Sequence, residues 1–474
     1  MVKMIMTKVQ NDAIDFEAEH ILIKGAPGSG KTTVLLYKLL KLMKTDPEAK
    51  ILMITYNKTL TKYVKDFFES KGEATEGITI STFHGWGWRL LLKMNGRKPN
   101  SSPKTVDEAF EEIYSQRKKV SKHRFYKEDK FKKFLEEEIQ WIKGQGIGNL
   151  EDYKQVKRSG RNARLSQEDR KEVYRFLEAF DSLLAKKGII PFDDYANILS
   201  SRIDEIPSSF KYDFILIDEA QDLNQSELSL LRKLNPKSLV VSADMGQKIY
   251  KTDFTWKSVG INVVGGRTKS LEEMHRSCVE VVKLAQPLYK KNLSIGSNKQ
   301  ADDKEELLMP TRESGIPPEL HVYKDTTAEF QGVAASVNEI WRNSKRDITI
   351  GILVRNVKSL YALKRVLPPN LPVEIINKDD GNSLEPGIKL VTMHSAKGLE
   401  FDVVFIVRLT EGNLPYLTKE MDKEDVEEAA QSDRRLLYVS MTRAKHQLVM
   451  TTYGDKRSRY LDELNPEDYK LKRK

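Results

Sequence analysis

Short apolar runs alternate with longer amphipathic ones along the first ninety residues. Residues 21–23, 51–54 and 78–80 are apolar runs of strand length, whereas 33–43 and 60–68 repeat their apolar positions at helical spacing. Strands alternating with helices predict βαβ units and a parallel sheet. From about residue 97 to 203 charged helical segments dominate (106–117, 127–142 and 167–187), which predicts a helical insertion. Apolar runs return at 214–217 and 239–241, so the insertion interrupts one α/β domain. A second series follows Leu271, with strands predicted at 320–323, 348–354, 373–376, 388–392, 403–407 and 447–452 and a helix at 358–367. The fold class is therefore α/β, with two parallel-sheet domains. The first comprises 1–96 and 205–270, the insertion 97–204, and the second domain 271–474. Residues 301–318, with Pro310, Gly315, Pro317 and Pro318, read as a loop, and the charged tail from Asp455 as frayed.

Composition narrows the class. Of 474 residues, 39% are hydrophobic and 31% charged, which excludes wholesale disorder. No apolar run approaches the ~18 residues of a membrane span, and the start of the chain has no signal-peptide core. One cysteine, Cys278, excludes an internal disulfide and a cysteine-rich zinc module and suits a reducing, cytoplasmic setting. Lys and Arg number 79 against 69 Asp and Glu, and 79 − 69 = +10 favours a polyanionic partner without identifying it.

The chemistry enters at Gly25-Ala26-Pro27-Gly28-Ser29-Gly30-Lys31-Thr32, which fits G-x-x-x-x-G-K-[ST] between a predicted strand and a predicted helix. Small residues let backbone N–H groups close on phosphate oxygens at a helix N-terminus. Lys31 can reach the β- and γ-phosphates of ATP, and Thr32 can offer its hydroxyl to Mg²⁺. The run Phe214-Ile215-Leu216-Ile217 ends in Asp218-Glu219-Ala220-Gln221-Asp222. In that context Asp218 would hold Mg²⁺ through water and Glu219 would polarise the attacking water.

Asp-Glu-Ala-Gln-Asp resembles motif II of the UvrD/Rep/PcrA-like helicases of superfamily 1, and further motifs follow in order. Gln10 resembles the Q motif, whose amide can pair with both adenine edge groups. Ser81-Thr82-Phe83-His84 resembles motif Ic. Residues 242–250, with Gln247 as γ-phosphate sensor, resemble motif III. His275-Arg276-Ser277 resembles motif IV, residues 391–400 motif V, and residues 434–444 motif VI. The resemblance implies two RecA-like domains of a P-loop NTPase, with Arg276 and Arg443 as arginine fingers and Glu400 as a ribose contact. At the positions where the family sandwiches adenine, this chain carries His275, which can stack, and Thr33, which cannot. Ala243 replaces the motif III glycine.

A single-strand motor needs aromatic faces for bases and cations for phosphates. The motif positions suggest Phe83, Tyr250 and Trp256 for stacking, and His84, Thr392 and His394 as polar contacts. A basic cluster in the insertion, including Lys157, Arg158 and Arg161, suggests phosphate contacts. Only 391 − 355 − 1 = 35 residues separate Arg355 from Val391, too few for the 2B domain that larger family members insert there. The resemblance thus implies a compact ATP-dependent DNA helicase or translocase, 3′-to-5′, on single-stranded or tailed DNA, with RNA an open alternative. A competing reading is an ATP-gated sensor of nucleic-acid ends that activates a partner nuclease without processive unwinding.

Overall fold

The computed structural model describes residues 6–25, 28–55, 58–73, 77–128, 130–158, 165–244, 255–271, 273–274, 277–295, 309–310, 312–376, 385–417 and 423–474. Two parallel sheets form the frame. The first contains β1 (His20–Gly25), β2 (Ile51–Thr55), β3 (Ile78–Thr82), β4 (Phe214–Ile217), β5 (Ser238–Ala243) and β6 (Thr268–Leu271) in the order β3-β2-β4-β5-β1-β6. Its helices before the insertion are α1 (Lys8–Asp15), α2 (Lys31–Thr45), α3 (Lys58–Ser70) and α4 (Phe83–Asn95). Successive strand residues point to opposite faces. Ile21 and Ile23 accordingly join one buried cluster and Leu22 the other, and Ile51 and Met53 separate likewise from Leu52 and Ile54. With both faces covered, the central strands are continuous apolar runs, as the sequence shows.

The insertion is helical: α5 (Pro103–Val120), α6 (Lys130–Gln145), α7 (Leu150–Gln155), α8 (Gln167–Lys187) and α9 (Tyr195–Ser201). An aromatic core of its own, including Phe110, Phe125, Phe176 and Phe180, holds it together. The chain then returns to β4, and α10 (Gln225–Lys233) leads to β5.

In the second lobe a short pair, β7 (Glu273–Met274) and β8 (Met309–Pro310), flanks α11 (Val279–Ile295). The main sheet follows: β9 (Glu319–Tyr323), α12 (Thr326–Asn343), β10 (Thr349–Val354), α13 (Val357–Val366), β11 (Val373–Ile375), β12 (Gly387–Thr392), β13 (Phe401–Ile406), α14 (Lys423–Met441), β14 (Ala444–Tyr453) and β15 (Lys470–Arg473). Its order is β11-β12-β10-β13-β14-β9-β15, with every pairing parallel. Between β10 and β12 the described residues hold only α13 and β11 as regular elements.

Three elements differ from the sequence expectation. Residues 470–473 are an edge strand paired with β9, Lys470 opposite Glu319, rather than a frayed tail. β6 extends the first sheet beside β1, and β8 (Met309–Pro310) lies within the segment 301–318 read as a loop. Neither β15 nor β6 has an apolar run, because an edge strand is held by backbone pairing more than by buried side chains. No helix among the described residues is long and apolar enough to cross a membrane.

Candidate functional site

The phosphate loop lies between β1 and α2. Gly30 caps α2 at φ 86, a left-handed conformation that glycine adopts without a Cβ penalty. A Cβ there would also meet the Gln10 side chain at 2.6 Å. Gly25 is equally constrained, since a Cβ would stand 2.8 Å from the Leu271 carbonyl. Ser29 is buried, Gly28 takes φ 76, and Thr33 is half-buried on the first turn of α2. Ala26 and Pro27 lie outside the described residues.

Gln10 is buried and ties α1 to this loop. Its Oε1 accepts from the Thr7 N–H at 3.0 Å, closing a capping box, and its Nε2 donates to the Ser29 carbonyl at 3.2 Å. An amide has a second N–H and a second lone pair, so the capacity to read an adenine edge remains.

Lys31 is buried, its Nζ donating to the Gly25 carbonyl at 2.8 Å and standing 3.9 Å from Asp244. Thr32 Oγ1 donates to Asp218 Oδ2 at 2.7 Å. Asp218 also accepts from the Ser242 hydroxyl and from the Glu219 N–H. Burial and the neighbouring Glu219 charge push the Asp218 carboxyl up, against the hydrogen bonds from Ser242 and Thr32. Burial acts upward on Glu219 too, but the charges of Lys31, Lys397 and Arg443 and the Gln221 amide outweigh it and hold this carboxyl below its ordinary value. Of these two neighbouring carboxyls, Glu219 is the one whose surroundings favour the ionised form. It sits at φ 52, an uncommon conformation for a non-glycine residue and one that clusters at functional sites.

The second lobe reaches this site. Arg443, between α14 and β14, is 2% exposed; its Nε donates to the Val439 carbonyl at 3.0 Å and its Nη1 to the Leu399 carbonyl at 3.3 Å. Glu400, at the start of β13, is half-buried with Lys445 4.0 Å away. Gln247, His275 and Arg276 fall outside the described residues.

Among the residues expected to contact nucleic acid, His84 is half exposed on the first turn of α4, with Nε2 3.3 Å from Glu227. Burial pushes this imidazole down, but Glu227 and Asp193 outweigh it and its pKa is raised. Thr392 Oγ1 donates to Ser395 Oγ at 2.9 Å in the turn after β12, where His394 is half-buried. Three of these side chains are otherwise engaged. Phe83 is 3% exposed and Trp256 6%, both in the apolar core on one face of the first sheet, so neither offers a ring face in this arrangement. The apolar demand of that core decides their placement. Arg158 is likewise not a free cation: it donates two 2.6 Å bonds to the buried carboxylate of Glu138, which Tyr153 also donates to. Lys157 is exposed; Arg161 and Tyr250 lie outside the described residues.

Sequence reasoning missed several groups. Gln221 donates to Glu219 and accepts from the Asp244 N–H at 3.1 Å, linking Glu219 to the end of β5. Lys397 Nζ bonds Asp222 Oδ1 at 2.5 Å across the cleft. Both were visible inside quoted motifs, but a spacing does not say which side chains meet. Phe192, partly exposed with its ring centroid 5.2 Å from that of His84, carried no sequence signal.

The family model of the UvrD/REP helicase N-terminal domain matches residues 6–254, and that of the UvrD-like helicase C-terminal domain matches residues 371–455. The chain is 25% identical over 392 residues to the ATP-dependent DNA helicase PcrA of Bacillus subtilis, covering 78% of this chain and 50% of that protein. It is 25% identical over 383 residues to a probable DNA helicase II homolog of Mycoplasma capricolum, covering 75% of this chain and 49% of the relative. It is 21% identical over 560 residues to the ATP-dependent DNA helicase UvrD2 of Mycobacterium tuberculosis, covering 93% and 78%. The chain thus spans about half the length of the first two relatives. With two parallel-sheet lobes, a phosphate loop and both family models in chain order, the chain belongs to the UvrD/Rep helicase family, in the RecA-like P-loop fold.

Proposed function

We propose that the chain is an ATP-dependent motor on single-stranded DNA, a helicase or translocase of 3′-to-5′ polarity. The observation that carries this reading is the convergence of both lobes on Glu219, which feels Lys31 from the phosphate loop and Lys397 and Arg443 from the second lobe. The Thr32 hydroxyl and the Asp218 carboxylate, 2.7 Å apart at the mouth of the phosphate loop, are a donor set suited to Mg²⁺. That ion, when bound, neutralises phosphate charge. Lys31 exchanges the Gly25 carbonyl for phosphate oxygens. Glu219 accepts the proton of the attacking water, oriented by the Gln221 amide. Arg443 stabilises charge on the transferred phosphoryl group, with Arg276 and Gln247 in the supporting roles their motifs suggest. Hydrolysis removes what the second-lobe cations hold, so the lobes separate, and alternating grips move the strand.

His84 and Phe192 together offer a cation and a ring face, with Thr392, His394 and Lys157 as further contacts. Polarity rests on the family resemblance. A second reading, an ATP-gated sensor that activates a partner nuclease, is favoured by the short connection between β10 and β12, in which the described residues hold one helix and one short strand. ATPase stimulation by single-stranded DNA, duplex DNA and RNA, run with unwinding of 3′- and 5′-tailed duplexes, tests both. Stimulation with 3′-tailed unwinding supports the motor, stimulation without unwinding supports the sensor, and no stimulation by any nucleic acid overturns both.

A further inference from the structure

Lys397 and Asp222 are charged, 2% and 1% exposed, and belong to different lobes. Lys397 sits in the connection from β12 to β13, and Asp222 closes the single turn Ala220–Asp222 that follows Glu219. Their bond is 2.5 Å, and the second oxygen of Asp222 is buried without a hydrogen-bond partner among the described residues. That turn also carries Gln221, whose amide grips Glu219. The lobes can bury these two charges only together: either one alone, dry and unpaired, opposes closure. We propose that the Lys397–Asp222 pair is an interlobe latch, which makes closure conditional on its formation and fixes the turn that orients Glu219. Lys397 and Asp222 are positioning residues in this account, acting through Gln221 and Glu219.

The inference rests on the site being an ATP-hydrolysing cleft between moving lobes, and the test separates the two. Lys397→Met, Asp222→Leu and the double variant are compared with the parent chain for kcat and KM of ATP hydrolysis under saturating single-stranded DNA. Each single variant leaves a lone buried charge and is expected to lose at least about 150-fold in kcat, the low side for one partner of a buried pair. KM should change by less than about threefold, since the phosphate loop is intact. The double variant, apolar on both sides, should recover to within about fivefold of the parent. A double variant as impaired as the singles, or singles at the parental rate, overturns the latch. Small-angle scattering of the same four proteins reads closure without catalysis: the singles should be expanded and the double as compact as the parent, and equal dimensions throughout also overturn it. If the parent hydrolyses no ATP with any nucleic acid, the motor reading falls, and the scattering comparison alone decides the latch.

Discussion

Replacing Arg443 separates a catalytic cation from a structural one. The side chain is 2% exposed and donates to two backbone carbonyls, those of Val439 and Leu399. Alanine would orphan both and open a cavity; hydrogen bonds from a charged donor contribute about 1.5–3 kcal/mol each, so Arg443→Ala would confound unfolding with chemistry. Glutamine keeps an amide donor and much of the volume while removing the charge. If Arg443 stabilises the phosphoryl group in flight, Arg443→Gln should lose about 10³–10⁵ in kcat, or roughly 4–7 kcal/mol at about 1.4 kcal/mol per decade. Because Arg443 helps to hold the Glu219 carboxyl down, its removal should also move the acid limb of the rate profile to higher pH. The assay is steady-state ATP hydrolysis with saturating single-stranded DNA across pH, alongside nucleotide binding and thermal unfolding. A well-folded variant within about twofold of the parental kcat would refute the finger, because a charge serving only local packing leaves the barrier untouched.

Three further outcomes follow from the site. Lys31→Ala should abolish ATP turnover while single-stranded DNA binding survives, measured by coupled ATPase and fluorescence anisotropy; a near-parental kcat would remove the nucleotide assignment. Glu219→Gln should bind ATP yet hydrolyse it at least ~10²-fold more slowly, the lower range for a lost general base, and normal turnover in single-turnover assays would make Glu219 structural. The His84 pKa is raised by Glu227 and Asp193, so the stabilising ion pair is complete below the unfolded value and is lost as pH rises through the folded one. Single-stranded DNA affinity should therefore weaken as pH rises through that raised value, and Glu227→Gln should shift the transition to lower pH; a flat profile in the parent would remove His84 from the phosphate track.

The sheets were legible in the sequence because both faces of each are covered. A strand buried on both sides must be apolar throughout, and 214–217 or 403–407 can hardly be read otherwise. Two of the four edge strands of these sheets, β6 and β15, escaped for the converse reason, Lys470–Arg473 being exposed at every position, whereas the apolar runs of the other two, β3 and β11, were read. The phosphate loop was legible because backbone geometry there demands particular residues at fixed intervals. The nucleic-acid face was not, because an aromatic or a cation is equally at home in a core or a strut. Phe83 and Trp256 went to the core, and Arg158 to Glu138, a carboxylate that the insertion buries completely. A basic cluster in a sequence does not reveal which of its members already face an acid.

The β12 to β13 connection shows how little chain is needed to span the second lobe. Parallel neighbours usually require a crossover of a dozen or more residues with a helix. Here β12 ends at Thr392 and β13 begins at Phe401, on the far side of β10, so residues 393–400 make the crossing. The strap is stiff. The Met393 N–H donates to Val354, the Ala396 N–H to Thr392 and the Leu399 N–H to Ala396, while Met393, Ala396 and Leu399 are buried in the lobe core. Thr392 at one end faces the carboxyl edge of the sheet, where the nucleic-acid candidates of this lobe lie, and Glu400 at the other adjoins Lys445. Lys397, midway, meets Asp222 of the first lobe. With three core side chains and the N–H groups of Met393, Ser395, Ala396 and Leu399 committed, the strap is tied to its lobe along its length. A displacement of the second lobe at Thr392 is then expected to displace Lys397 relative to Asp222.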